Sequence, residues 1–349
     1  MGGQTAGHRP GRRTLAVRHS LAAFLDTAEL APGDAVVCGV SGGGDSLALA
    51  AAGVHAGLAV TTVTVDHGLQ AGSDRVAEAA AQQCRSLGAT AQVVTVTVDG
   101  AGEAPARTAR YRTLGEIADG RPVLVAHTAD DDAEGLLLSL TRGSGTGSLA
   151  GLREISLDHP VVAAGASFLG RPLLAATRAD TRGSCTELGL AVWDDPHNVR
   201  TDILRSRVRH ELLPVMREVL GERVDAALTR SARLLREDAD LLEALAADVL
   251  RDAAVPPGGP LPVEVPAGQP GPLRRRLLRH WLSGVAGPLT SRHLSMLESL
   301  VADWHGQGPV AVPVLAEPNR QVGPTLGKSH RLVVRRRVGV LETAYLPRT

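Results

Sequence analysis

The chain has 349 residues, 44% of them apolar and 21% charged, which suffices for two domains with their own cores and excludes a largely disordered chain. Lys plus Arg and Asp plus Glu number 37 each, so zero net charge excludes a wholesale polybasic nucleic-acid binder and leaves local basic patches for any such contact. The 3 cysteines, Cys38, Cys84 and Cys185, are far apart and fit a reducing compartment without disulfides or paired-cysteine sites, and no run approaches the roughly 20 apolar residues of a membrane span.

In chain order, residues 1–18 read as a disordered N-terminal tail, rich in Gly, Arg and Pro as far as residue 13. Arg12–Arg13 before an apolar run faintly resembles a twin-arginine signal, but Arg18, His19 and Asp26 interrupt the run and exclude it. The localisation expected is therefore cytoplasmic. Short β-branched runs at Asp34–Val40, Leu58–Asp66, Ala91–Val98 and Pro122–His127 predict buried strands. Helical patterns at Ser46–Ala56, Asp74–Leu87, Ala104–Ala118 and Asp132–Thr141 follow them in turn. Such alternation predicts a doubly wound, mostly parallel α/β sheet over 19–215, with the ligand at the strands' C-terminal edge. Beyond it, Ile203–Val219 and Arg223–Arg251 predict long helices, the segment 216–252 being helical throughout. Residues 253–272 are saturated with Pro and Gly and read as a linker or loop. Leu273–Ser283 and Ser291–Trp304 predict amphipathic helices, and short apolar runs between Val310 and Leu346 predict a few strands, making 273–349 a C-terminal substrate-binding appendage.

Ser41-Gly42-Gly43-Gly44-Asp45-Ser46 stands between the first strand and its helix. Three glycines let backbone N–H groups approach a phosphate at a helix N-terminus, and Ser41 and Ser46 add hydroxyls, Ser46 also as a helix cap. Asp45 would repel phosphate, and a Mg²⁺ ion reverses that sign, so Asp45 reads as a metal ligand. The sole lysine, Lys328, lacks the upstream glycines of a Walker motif. The loop resembles the PP-loop of the N-type ATP pyrophosphatases, which cleave ATP between the α and β phosphates and leave AMP on their substrate.

Further strings resemble the tRNA(Ile)-lysidine synthetase family over roughly residues 33–214. They are Val65-Asp66-His67-Gly68-Leu69, the E-x-x-A-R-x-x-R-Y helix from Glu103 through Arg107 and Arg110 to Tyr111, and Ala126-His127-Thr128-Ala129-Asp130-Asp131-Asp132-Ala133-Glu134. Arg142-Gly143-Ser144-Gly145, Arg171-Pro172-Leu173-Leu174, Asp195-Pro196-His197-Asn198 and Arg205-Ser206-Arg207-Val208-Arg209-His210 follow in the family's order. Thr128, Asp132, Gly135 and Ser206 depart from its frequent residues. The resemblance implies catalytic roles for Asp45, Arg107, His127 and Asp131. It implies nucleotide contacts from Ser41, Gly42, Gly43, Gly44, Asp45, Ser46, Asp66 and His67, and substrate contacts from Glu134, Arg110, Tyr111, Arg205, Arg207 and Arg209.

The residues themselves carry part of this. His127 ends the fourth strand, on the ligand edge. Asp131 and Glu134 share a helical face and suit a Mg²⁺ ion or the ammonium of an amino-acid substrate, or simply balance the helix dipole. Arg107 and Arg110 share a face beside Tyr111 and suit phosphate clamping, base stacking or a solvated surface. Arg205, Arg207 and Arg209 alternate around a helix. His67 reads equally as structural or as pocket-lining. Trp193, Trp281 and Trp304 read as core or hinge anchors. The Arg274, Arg275, Arg276 and Arg279 face lies opposite an apolar stripe and is either solvated or a contact to an RNA backbone.

The family resemblance implies ligation of L-lysine to the 2-position of the wobble cytidine of tRNA(Ile) with a CAU anticodon. ATP and Mg²⁺ are the cofactors, the RNA is adenylated first, and a homodimer is an open possibility. Rival readings are a tRNA sulfurtransferase of the 2-thiocytidine type, which usually carries the paired cysteines missing here, and a non-catalytic ATP- or RNA-binding module.

Overall fold

The predicted strands form as β1 (Ala35–Gly39), β2 (Ala59–Asp66), β3 (Thr90–Thr95) and β4 (Val123–Leu124), joined by β5 (Ile155–Ser156) and β6 (Leu169–Gly170), in a computed structural model describing residues 10–68, 72–97, 103–141, 145–195, 203–315 and 330–347. The sheet order is β3-β2-β1-β4-β6-β5, and all neighbours run parallel except the edge pair β5–β6. The order reverses between β1 and β4, which puts the crevice for a ligand beyond the C-terminal ends of those two strands. The phosphate loop leaves one of them and His127 follows the other.

Helices cover both faces. In β1, Val36 and Cys38 point to one core and Val37 to the other, as the two-residue period of a strand requires. The first core takes Val17, Leu21 and Phe24 of α1 (Arg12–Ala28) and Leu47 and Leu49 of α2 (Gly44–His55). The second takes Tyr111 and Leu114 of α4 (Glu103–Ala118) and Val161 of the short α7 (Pro160–Ala163). Between these elements lie α3 (Ser73–Leu87), α5 (Ala129–Leu140) and α6 (Thr146–Leu149), with α8 (Arg178–Glu187) after them.

Several boundaries differ from the sequence reading. Residues 12–18, expected in a disordered tail, open α1, because Thr14, Val17 and Leu21 recur at helical spacing and bury against the sheet. Arg13 and Thr14 fasten that end to α8 through Asp180 at 2.7 Å and Glu187 at 2.6 Å. α5 begins at Ala129 rather than Asp132, since Thr128 is its cap. The helix expected over Ile203–Val219 is broken into α9 (Leu204–Arg207), a π turn (Val208–Leu212) and α10 (Leu213–Leu220). The wide turn ends two residues before Pro214, which has no N–H to give a regular helical ladder. Tail residues 1–9, the Arg142-Gly143-Ser144 and Pro196-His197-Asn198 strings and Lys328 lie outside the described residues.

Two compact units emerge, Met1–Arg236 and Glu237–Thr349, and the long helix α11 (Val224–Asp252) contributes to each. In the second unit the Pro/Gly-rich segment is mostly loop, and it packs within the unit rather than joining two units. It forms β7 (Leu261–Pro262) and α12 (Glu264–Ala267), and its Leu261 and Val263 belong to the unit's core. That core is completed by α13 (Gly271–Trp281), α14 (Ser291–Ala302) and an antiparallel sheet in the order β7-β10-β9-β8, with β8 (Val310–Val312), β9 (His330–Arg337) and β10 (Val340–Pro347). Trp281 is buried and donates to the Gly259 carbonyl at 2.8 Å, as an anchor should. Among the described residues no helix is long and apolar enough to cross a membrane.

Candidate active site

The phosphate loop folds as its glycines demand. Gly42 has φ +86°, a conformation that a side chain would strain, and Gly43 caps α2. Ser46 is therefore not the cap. It lies inside the first turn, where its hydroxyl donates to the Gly43 carbonyl at 2.9 Å and accepts from the Ser41 N–H at 3.2 Å, closing the loop on itself. The Gly42 carbonyl accepts from Trp193 N–H at 3.1 Å, so Trp193 anchors the loop by its backbone.

Asp45 opens from the first turn of α2 toward α8. Its Oδ1 accepts from the Thr181 hydroxyl, Arg178 Nε lies 3.8 Å from Oδ2, and Cys185 Sγ meets the Gly44 carbonyl at 3.2 Å. Positions 178, 181 and 185 form one stripe of α8, so a single helix face brackets the loop. Burial raises the Asp45 carboxyl above its ordinary range; Thr181 and Arg178 oppose that, and the charges of Asp131 and Asp130 add to it.

The α5 carboxylates converge on the same arginine. Asp131 uses one oxygen to cap its own helix, accepting from Thr128 N–H at 2.9 Å, and turns the other to Arg178 at 3.2 Å and Arg205 at 3.3 Å. Glu134 has no exposed surface and meets Arg178 at 3.2 Å, Arg205 at 2.9 Å and Arg209 at 2.7 Å. Asp130 accepts from the Arg178 N–H at 2.7 Å. Asp132 stands apart, held by Leu152 N–H at 2.6 Å and Arg236 at 3.2 Å. Among the described residues, four carboxylates (Asp45, Asp130, Asp131, Glu134) thus face three guanidiniums (Arg178, Arg205, Arg209) within ion-pair distance.

The predicted residues divide accordingly. Asp45, Asp131, Glu134, Arg205 and Arg209 come together; Arg207 does not, since two positions along a helix is more than half a turn, and it pairs with Glu211 at 3.0 Å. Glu134 was expected to receive substrate directly, yet its oxygens are already held by arginines. Tyr111 is no open stacking platform: it is 3% exposed, Arg107 and Arg110 lie 5.0 and 5.4 Å from its ring centre, and His159 meets its edge at 4.4 Å. Asp66 accepts from Gly68 N–H at 2.9 Å just beyond β2, and the neighbouring His67 keeps a buried Nδ1 without a partner. His127 likewise has a buried, unpartnered Nδ1; burial, with Arg171, Arg107 and Arg205 outweighing Asp131, lowers it to about 3, so the ring is neutral.

Sequence reasoning missed Arg178 and Thr181. A signal existed: Thr177 and Asp180 spell a capping box, and a cation at the first helical position opposes the helix dipole. An arginine kept there needs another purpose, and the carboxylate cluster supplies it. The Arg-rich α13 face is also mostly engaged, Arg275 with Glu298 at 3.1 Å and Arg276 and Arg279 with Glu243 at 3.3 and 3.4 Å.

Residues 14–216 match the PP-loop domain, and residues 261–322 match the TilS substrate binding domain. The first match reaches back to α1, and the second begins within the Pro/Gly-rich segment expected to be a linker or loop. The chain is 48% identical to the tRNA(Ile)-lysidine synthase of Nocardia farcinica, covering 85% of this chain and 91% of that protein. It is 47% identical to the protein of that name from Mycobacterium bovis, covering 87% and 88%. With the one from Rhodococcus opacus the identity is 44% over 93% of each chain. Among solved structures, the U34-tRNA thiolase NcsA from Methanococcus maripaludis aligns with TM-score 0.52 at 17% identity, covering 64% of this chain and 80% of that one, a likeness of fold.

Proposed function

The chain belongs to the tRNA(Ile)-lysidine synthase family, and we propose from that membership how its residues divide the work of forming lysidine on tRNA(Ile) with ATP. The observation that carries the reading is the junction at the β1/β4 switch point, where a phosphate loop opens onto carboxylates that, among the described residues, outnumber the guanidiniums paired with them.

ATP lies with its phosphates on the Ser41–Ser46 loop, where backbone N–H groups and hydroxyls take up negative charge, and Asp66 and His67 border the nucleotide at the end of β2. A divalent cation fits there: Asp45 is a hard oxygen donor whose carboxyl is held high by burial and like charges, the condition a cation relieves, and Mg²⁺ takes one or two carboxylates plus substrate phosphates. Asp45 and Asp131 would hold Mg²⁺, which when bound neutralises phosphate charge. The 2-oxo oxygen of the wobble cytidine attacks the α-phosphorus and diphosphate leaves. Arg107 and neutral His127 orient the reacting groups at the strand edge. The ε-amine of free L-lysine then attacks C2 of the base, the AMP-bearing oxygen departs, and the amine's proton is lost.

Lysine reaches this point as a cation, drawn by the carboxylate cluster. Glu134 acts through Arg178, Arg205 and Arg209, fixing which faces of those carboxylates remain open. Arg110 guides the RNA. Cys38, Cys84 and Cys185, all buried and reduced, suit the cytoplasm, and the exposed Val215, Val219 and Leu220 of α10 are apolar surface that a homodimer would cover.

Pyrophosphate release is the test. It should require ATP, tRNA(Ile) with a CAU anticodon and, for multiple turnovers, lysine; release that ignores the RNA would sink the reading. Binding of that RNA should weaken steeply with salt through arginine–phosphate contacts. Since Arg275 and Arg279 are occupied by glutamates, changing both to Ala should leave the slope of log K against log salt as it was. A slope shallower by about one per arginine would return that face to the RNA.

A further inference from the structure

Beside the carboxylate cluster lies a group of side chains with the opposite imbalance. Arg171 follows β6 and is 5% exposed. One Nη donates to the Arg153 carbonyl at 2.6 Å and to Ser156 Oγ at 2.9 Å, while its buried Nε has no partner. Arg107 lies over the Tyr111 ring, and His159 meets the ring's edge. Among the described residues neither Arg171 nor Arg107 is ion-paired with a carboxylate, and nearby Asp132 is held by Arg236 and Leu152. The imidazoles respond to this surplus: burial first, then Arg171 and Arg107, bring His159 down to about 4, and the same two arginines act on His127.

A buried guanidinium with a free N–H and no counter-ion is costly to keep. The cost is offset when an anion arrives whose oxygens take up both the charge and the orphaned donors. We propose that Arg171, Arg107, His127 and His159 line a second anion subsite, distinct from the phosphate loop, that takes a phosphate group. Two arginine forks match tetrahedral phosphate oxygens, Arg171 Nε is a donor with nothing else to bind, and the unpartnered His127 Nδ1 donates as well in its Nδ1–H tautomer. A neutral base leaves the charge uncompensated, and an amine worsens it. The phosphate is either a diester of the RNA next to the reacting nucleotide or the departing diphosphate. The inference rests on the reading that ATP and RNA meet at this strand edge.

Calorimetric titration of the full chain with pyrophosphate and, separately, with an anticodon stem-loop RNA tests it. The variants are Arg171→Gln, Arg171→Lys and His159→Asn, the last keeping a side chain able to cap α7. Arg171→Gln should weaken one probe at least tenfold, Arg171→Lys less so, and His159→Asn measurably. A loss confined to pyrophosphate assigns the subsite to the leaving group, and a loss confined to RNA assigns it to the backbone. Folded Arg171→Gln that binds both probes within twofold of wild type overturns the proposal and makes Arg171 a structural tie. Should Arg171→Gln fail to fold, Arg107→Gln carries the same comparison with the same overturning result. A wild-type chain that, titrated also with ATP, binds neither ATP nor the RNA would instead refute the reading of the site.

Discussion

Asp45→Ala is expected to lower tRNA-dependent pyrophosphate release by on the order of 10²–10³-fold while the protein stays folded. The carboxylate lies on the phosphate loop, where a negative charge opposes phosphate unless a cation intervenes. Its carboxyl is raised by burial and by Asp131 and Asp130, so in the absence of ligand Asp45 is a burden on the fold rather than a support. Removing it frees Thr181 and weakens one contact of Arg178, which keeps Asp130, Asp131 and Glu134. Melting temperature and pyrophosphate release measured on the same preparation separate the two effects. Near-normal release would remove Asp45 from the chemistry, and a collapsed melting temperature would make it structural.

Glu134→Gln should be costly in a different way. The carboxylate is fully buried and bonded by three arginines, and breaking one side of such a network costs about 3–5 kcal/mol. Burial alone would push this carboxyl up, but the bonds from Arg209 and the charges of Arg178 and Arg209 hold it below the ordinary 4.5. A carboxyl depressed in the fold stabilises the protein fully above its unfolded value. That stability is lost as pH falls from about 4.5 through the lowered folded value. The variant should therefore lose stability at neutral pH and show a flatter decline on acidification, both readable by urea unfolding across pH. At permissive temperature its lysine KM should rise more than its adenylation rate falls, because the arginines that shape the amine's approach lose their anchor. Unfolding curves and lysine KM both like wild type would show that the network does neither job.

Much of the first unit was legible because local chemistry decides it. β-branched runs between Ala-rich helices admit few arrangements besides a parallel sheet, and the Gly42 turn needs a glycine whatever surrounds it. What stayed hidden depends on contacts distant in sequence. Arg178 gains its meaning from residues 44 to 133 positions upstream, and nothing in Thr177-Arg178-Ala179 names those partners. Glu134 looked like a free acid near a helix start because the arginines that saturate it come from α8, α9 and the π turn. In the second unit, Leu261 and Val263 are core residues set among prolines and glycines, where composition left a linker and a loop equally open and only packing shows the side chains buried.

In the proposed order of steps, ATP's α-phosphate passes to the RNA before lysine acts. A single turnover with α-labelled ATP, tRNA(Ile) carrying a CAU anticodon and no lysine tests it most directly. Label is expected covalently on the RNA with one pyrophosphate released per adduct, followed on adding lysine by loss of the label as AMP and appearance of lysine on the RNA. Label that never joins the RNA, or that leaves as ADP with inorganic phosphate, would contradict that order.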